Sequence, residues 1–245
     1  MHRVHDASAA LRAVDAARAG GIAAFSLDLI FATPDRLARN WENDLHQIIA
    51  LAPDHVSLYG LTVEPHTPLG RWHARGEEAE APEERYAHEF LSAHAHLVDA
   101  GFEHYEVSNF AQPGRRARHN GAYWRVVPYL GLGPSAHGFD GSTRRWNIEA
   151  FAGWQRAVNT NIDPVGGAEH LTPSNRRAEM VYLGLRTVDG LEVTAEEVAH
   201  VSAWERAGWG QVQCRGAQHR LVCTAEGWLR LDALAADLTA FRRHS

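Results

Sequence analysis

The chain has 245 residues, 45% of them hydrophobic and 22% charged, with a net charge of −6. This is the balance of an ordinary globular protein, longer than the usual domain, so one large domain with a small one is expected. The acidic charge argues against broad binding to nucleic acid or an anionic membrane. No apolar run approaches the ~20 residues that cross a bilayer and no signal-peptide core opens the chain, so a cytoplasmic location is expected.

Asp6 can cap a helix whose apolar positions Leu11, Val14 and Ala17 fall at helical spacing, with Gly20-Gly21 ending it. The run Ala24–Phe31 reads as a strand buried on both faces. Trp41, Leu45, Ile48 and Ile49 mark the next helix, and Val56–Leu61 a second buried strand. Tyr86, Phe90, Ala93 and Leu97 define a third helix, stopped by Gly101, and His104–Val107 a third strand. Strands and helices alternating at these lengths imply parallel strands joined by crossovers. Three such strands cannot close a barrel, so this part reads as the tail of a larger one.

From Pro113 to about Trp146 the periodicity disappears while Gly, Pro, Arg and aromatic residues crowd together, as in a functional loop. Phe151–Val158 reads as a short helix. Thr172-Pro173 opens a helix across Ala178, Val181, Tyr182 and Leu185, and Thr194 with Glu197 forms a capping box for the next. Gln211–Cys214 and Arg220–Cys223 make a hairpin, and Leu231, Leu234, Leu238 and Phe241 line a final helix. The order resembles a winged-helix module. Its scattered basic residues favour packing or partner contact over DNA reading.

Asp28 stands out as a carboxylate inside an apolar run, where polar residues of parallel α/β folds either serve ligands or cap a neighbouring helix. Residues 115–125 join Arg115, Arg116, Arg118 and Arg125 to His119, Tyr123 and Trp124. Arginine forks bind carboxylates, aromatic rings give flat apolar contact, and a neutral imidazole can ligate iron. The set suits a planar anionic ligand such as haem, and equally a solvated basic loop with its aromatics tucked into the core. Gly131–Gly138 is glycine-rich but lacks both the dinucleotide fingerprint and the P-loop lysine. The spacing of His88, His94 and His96 gives no i, i+4 metal pair, so a solvated helix face is expected. Cys214 and Cys223 fit no common metal spacing and read as buried small hydrophobes.

Several segments, in this order, resemble the HemW family of radical-SAM-type haem chaperones, relatives of oxygen-independent coproporphyrinogen III oxidase. They are Arg3-Val-His-Asp6, Ser26-Leu-Asp-Leu-Ile-Phe31, Ser57–Pro65 with Thr67-Pro-Leu69, Tyr105-Glu-Val-Ser-Asn-Phe110, His119-Asn120-x-x-Tyr123-Trp124 and Tyr129–Pro134. The resemblance implies the C-terminal part of a radical-SAM partial (β/α) barrel over 1–112, a connecting region over 113–170 and a helical, winged-helix-like domain over 171–245. It further implies S-adenosylmethionine contacts at Arg3, Asp28, Tyr59, Thr62, Ala136 and His137, and a haem or porphyrin surface at His119, Asn120, Tyr123 and Trp124. Haem-accepting proteins are the partners it suggests, with no nucleic acid. The family's [4Fe-4S] cluster sits on a Cys-x-x-x-Cys-x-x-Cys motif, but the two cysteines here are at 214 and 223. The expectation is therefore a haem-binding or haem-delivering chain in N-terminally truncated form, without radical catalysis of its own. Two alternatives are a coproporphyrinogen III oxidase and a fragment that only binds partners.

Overall fold

The computed structural model describes residues 6–216 and 218–244, which form two compact units, Met1–Ala117 and Arg118–Ser245. The first opens with α1 (Ala7–Ala19), capped by the Asp6 carboxylate on Ala9 N–H at 2.8 Å. Then come β1 (Ser26–Phe31), α2 (Trp41–Ala50), β2 (His55–Gly60), α3 (Pro68–Ala74), α4 (Glu83–Asp99), β3 (Glu103–Glu106) and β4 (Asn109–Ala111).

β1 and β2 are parallel, but β3 does not pair with β2. The sheet order is β1-β2-β4-β3, with both contacts of β4 antiparallel. A two-residue turn at Val107-Ser108 folds the chain back and slips β4 between the two, correcting the all-parallel expectation. Three residues of β4 are too few to announce a strand through periodicity.

β1 is also not buried on both faces: Leu29 and Phe31 are buried, Ser26 and Asp28 exposed. The buried face meets α4, where the Phe31 ring lies 4.6 Å from Tyr86 and 6.0 Å from Phe90, and 6.3 Å from Trp41 of α2. Beyond β1, Ala32 has a left-handed φ of 55°, and its N–H donates to the Glu89 carboxylate at 2.6 Å. Arg85 caps the Thr33 carbonyl at 2.9 Å, so α4 holds the end of the strand by polar bonds as well as packing.

In the second unit the stretch expected to be irregular contains α5 (Arg118–Trp124), β5 (His137–Phe139) and β6 (Thr143–Asn147). α6 (Phe151–Asn159) follows as expected, then β7 (Val165–His170), which completes an antiparallel sheet in the order β5-β6-β7. β6 reads Thr-Arg-Arg-Trp-Asn and β7 is almost wholly exposed, so neither carries the apolar alternation that marks a strand.

The remainder has α7 (Pro173–Leu185), β8 (Leu191–Val193), α8 (Ala195–Arg206), β9 (Gly210–Arg215), β10 (Gln218–Cys223), α9 (Ala225–Trp228) and α10 (Leu231–His244). A sheet in the order β8-β10-β9 packs under helices around Val181, Leu185, Val201, Leu221 and Leu238. The capping box at Thr194 and Glu197 is present, and Arg242 of α10 also binds the buried Glu197, Nε to Oε1 at 2.5 Å. Burial alone would raise the Glu197 carboxyl; Arg242 and the Thr194 N–H outweigh it and hold it below the usual carboxylate range.

Candidate functional site

Two chemically distinct surfaces contain the candidate residues, one in each unit. On the first sheet, register sets Asp28 beside Ser57 and Ser57 beside Asn109, a polar row across three strands. In the next rows Ser26 meets His55 and Ile30 meets Tyr59. Asp28 and Tyr59 thus share one face, both exposed, with Thr62 two residues beyond the end of β2. The exposure of Asp28 removes the puzzle of a buried carboxylate. Arg3 lies outside the described residues.

Between the exposed residues runs a buried chain of hydrogen bonds. Ala117 N–H donates to the Tyr105 hydroxyl at 3.3 Å, and that hydroxyl is 2.8 Å from His55 Nε2. His55 Nδ1 is 2.8 Å from Ser26 Oγ. A neutral imidazole donates from one nitrogen and accepts at the other, so His55 links the Tyr105 and Ser26 hydroxyls in either tautomer. Burial pushes the His55 imidazole below its ordinary value against the pull of Asp28, so it is neutral at pH 7. Asn109 is 3% exposed and its Oδ1 is a buried acceptor with no partner among the described residues. Reading the sequence for apolar runs missed these groups, although the alternation His55-x-Ser57-x-Tyr59 carries a polar face at strand spacing.

α5 builds the second surface. Spacing of i, i+4 stacks His119 under Tyr123 and Asn120 under Trp124. The Tyr123 hydroxyl lies 2.9 Å from His119 Nε2, and the Tyr123 ring meets Tyr129 edge-on at 4.6 Å. The Arg186 guanidinium sits 4.3 Å over the Trp124 ring, and the buried Trp124 Nε1 has no hydrogen-bond partner among the described residues. His119 is exposed; Asn120, Tyr123 and Trp124 are half-buried.

The basic stretch divides. Arg115 pairs with Asp54 at 3.4 Å and Arg116 with Glu103 at 2.8 Å, so both serve the first unit. Arg118 and Arg125, at either end of α5, are exposed and form no ion pair with a described residue.

α5 ends in paired bonds from Val127 N–H to Ala122 O and from Val126 N–H to Tyr123 O, both at 3.0 Å. Val126 has a φ of 57°, where helix ends usually place glycine and a β-branched side chain is strained. The following loop is pinned by Asn147, whose Nδ2 donates to Gly133 O at 2.8 Å and Gly131 O at 3.2 Å. A Cβ on Gly131 would lie 2.4 Å from the His137 carbonyl oxygen, so this approach requires glycine. Ala136 is half-buried before β5; His137 opens β5, exposed, its ring 5.8 Å from Trp146.

The other candidates disperse. His88 is exposed, but His94 Nδ1 lies 2.8 Å from His104 Nδ1 and His96 pairs with Glu42 at 3.0 Å, so the trio is no solvated face. Cys223 is buried and its thiol is pushed up to about 12, whereas Cys214 is exposed, 3.4 Å from His219 Nδ1. Cys214 is therefore not the buried hydrophobe expected; its side chain leaves the core face of the hairpin. Among the described residues no three His, Cys, Asp or Glu side chains are placed to hold a metal, and no helix is long and apolar enough to cross a membrane.

No family model matches the chain. Among curated proteins it is 35% identical over 209 residues to the heme chaperone HemW of Synechocystis sp., covering 84% of this chain and 49% of that protein. With the heme chaperone HemW of Mycobacterium tuberculosis it shares 35% identity over 242 residues, 97% of this chain and 61% of the relative. The chain thus spans about half to three fifths of these relatives. Its fold matches the coproporphyrinogen III oxidase (HemN) of Escherichia coli, described as a radical SAM enzyme, with a TM-score of 0.69 at 15% identity. That match covers 98% of this chain and 60% of the other.

Proposed function

Because this chain is HemW-like along almost its whole length, we propose that it binds haem for delivery, using the face of α5 that carries His119, Asn120, Tyr123 and Trp124. One observation carries the reading: the exposed His119 imidazole stands on the aromatic pair Tyr123–Tyr129, on a helix with Arg118 and Arg125 at its ends, neither in an ion pair with a described residue. An imidazole can ligate iron, rings can cover a macrocycle, and Arg118 and Arg125 can meet propionates. The His119–Tyr123 bond orients the ring, as a partner on one nitrogen does for metal-ligating histidines. Titrating haemin into the chain and into His119→Ala tests this; the variant should lose affinity and shift the Soret band, and an unchanged spectrum would remove His119 as ligand.

S-adenosylmethionine suits the first sheet better than α5. Asp28 supplies a carboxylate, Tyr59 and Thr62 hydroxyls, and Asn109 a buried acceptor without a partner among the described residues, a donor set fit for a ribose and an amino acid group. A contribution from Arg3, Ala136 and His137 is implied only by family resemblance. Bound, that cofactor would supply a sulfonium whose reductive cleavage needs an electron from an iron–sulfur cluster. Cys214 and Cys223 do not fit such a cluster: one is exposed, the other buried, and a third thiolate is lacking in these 245 residues. The chain's own residues therefore support holding, not radical chemistry. We also propose the division read from the sequence, a barrel part over 1–112, a connecting region over 113–170 and a helical domain over 171–245.

A further inference from the structure

Past α5, the second unit contains a cleft of about 640 Å³ that the haem motif does not include. Its walls come from the loop Pro128–Gly133, from Phe139 and Arg145 of the sheet, and from Trp154 and Val158 of α6. Leu130 and Leu132, two of the wall residues, are 90% and 88% exposed. Isolated apolar residues at a surface are ordinary, but these two stand on a loop that glycine geometry and Asn147 hold in place. Folding has left their apolar surface in water while fixing its position.

The cleft is continuous with α5 through one side chain. Tyr129 lines it, and the same ring meets Tyr123 edge-on at 4.6 Å, whose hydroxyl holds His119. A few polar groups converge on the otherwise apolar walls. Arg145 grips Asp163 through both ends of its guanidinium, and Asp163 is 60% exposed, so this fork is already shaped for a carboxylate that solvent can replace. A mostly apolar cleft of a few hundred Å³ with a few fixed polar groups is the ordinary form of a small-molecule site.

We propose that this cleft receives the ring of a porphyrin, with Leu130, Leu132 and Tyr129 as its apolar contact and Arg145 exchanging Asp163 for a ring carboxylate. The proposal rests on the haem reading of α5 and adds where the macrocycle lies. It separates two tasks: α5 offers an iron ligand, and the loop and α6 hold the ring whether or not iron is present.

The test uses the whole chain with two probes, haemin followed by Soret absorbance and metal-free protoporphyrin followed by fluorescence. Leu130→Asp with Leu132→Asp should weaken both by about tenfold or more while leaving the Soret position unchanged. His119→Ala should act on haemin and spare the metal-free ring. Both leucines are exposed, so the fold should survive, as circular dichroism would check; Leu130→Ser with Leu132→Ser, a milder pair, should weaken both probes less. Binding by the unaltered chain with no loss in the Asp pair would overturn the cleft proposal and leave the α5 reading standing. Failure of the unaltered chain to bind either porphyrin would overturn both.

Discussion

The two candidate surfaces place their polar and apolar groups in opposite ways. On the first sheet His55, Ser57, Glu106 and Asn109 are buried, with both His55 nitrogens, the Glu106 carboxylate and the Asn109 amide nitrogen hydrogen-bonded inside the protein. Around α5 the loop turns Leu130 and Leu132 into solvent and holds them with backbone geometry and one amide. A buried polar chain fixes side-chain directions at the cost of sensitivity to protonation. A pinned apolar loop is indifferent to pH but sensitive to any change in its few anchors.

The comparison is broken most forcefully through the packing that supports the sheet. Phe31→Ala should cost about 3–5 kcal/mol, because its ring packs against three others and is 2% exposed. Urea denaturation should show that loss.

Acid should separate the surfaces next. Burial first, then the neighbouring His94, drive His104 down to about 3, against the Val107 carbonyl. A folded pKa below the unfolded one means the unfolded chain binds the extra proton between pH 6.5 and about 3. Stability is therefore intact above 6.5 and falls through that window, at up to about 1.4 kcal/mol per pH unit for one proton. Replacing His104 with Phe, which can keep the stack on Phe110 seen at 3.8 Å, should flatten the profile. If the slope persists, the histidine pair is not its source.

Smaller changes probe the loop. Asn147→Ala removes both bonds to the Gly131 and Gly133 carbonyls and should cost about 1–3 kcal/mol, with faster amide exchange across 129–135. Val126→Gly should gain about 1 kcal/mol by relieving the left-handed valine, read as a higher Tm. Porphyrin affinity should fall in that variant, since a freer helix end orients Tyr129 less well.

Legibility in the sequence followed burial. Helices with a clear apolar stripe, such as Trp41–Ala50 and Glu83–Asp99, matched their spacing, as did the Asp6 and Thr194 caps. Val165–His170 escaped notice because an exposed strand has no apolar face to periodise. Asn109–Ala111 is long enough to redirect the sheet but too short to form a pattern. At the site, the order of motifs singled out residues that the structure places on α5 and on the polar face of β1 and β2, without foreseeing the helix. It did not foresee that Arg115 and Arg116 would be spent on Asp54 and Glu103, or that Tyr129 would join the aromatic pair. Those depend on where distant strands end, information no local spacing contains.

The position of β1 at the end of its sheet has a colloidal consequence. Among the described residues no strand covers its outer edge, and Arg39 on the Ile30 carbonyl with Glu89 on the Ala32 N–H blunts only its C-terminal end. Ser26 opens the strand exposed, and an extended edge is in general a ready partner for another extended segment. A charged residue in place of Ser26 should lower any self-association through this margin without altering the melting temperature, which light scattering against concentration would check.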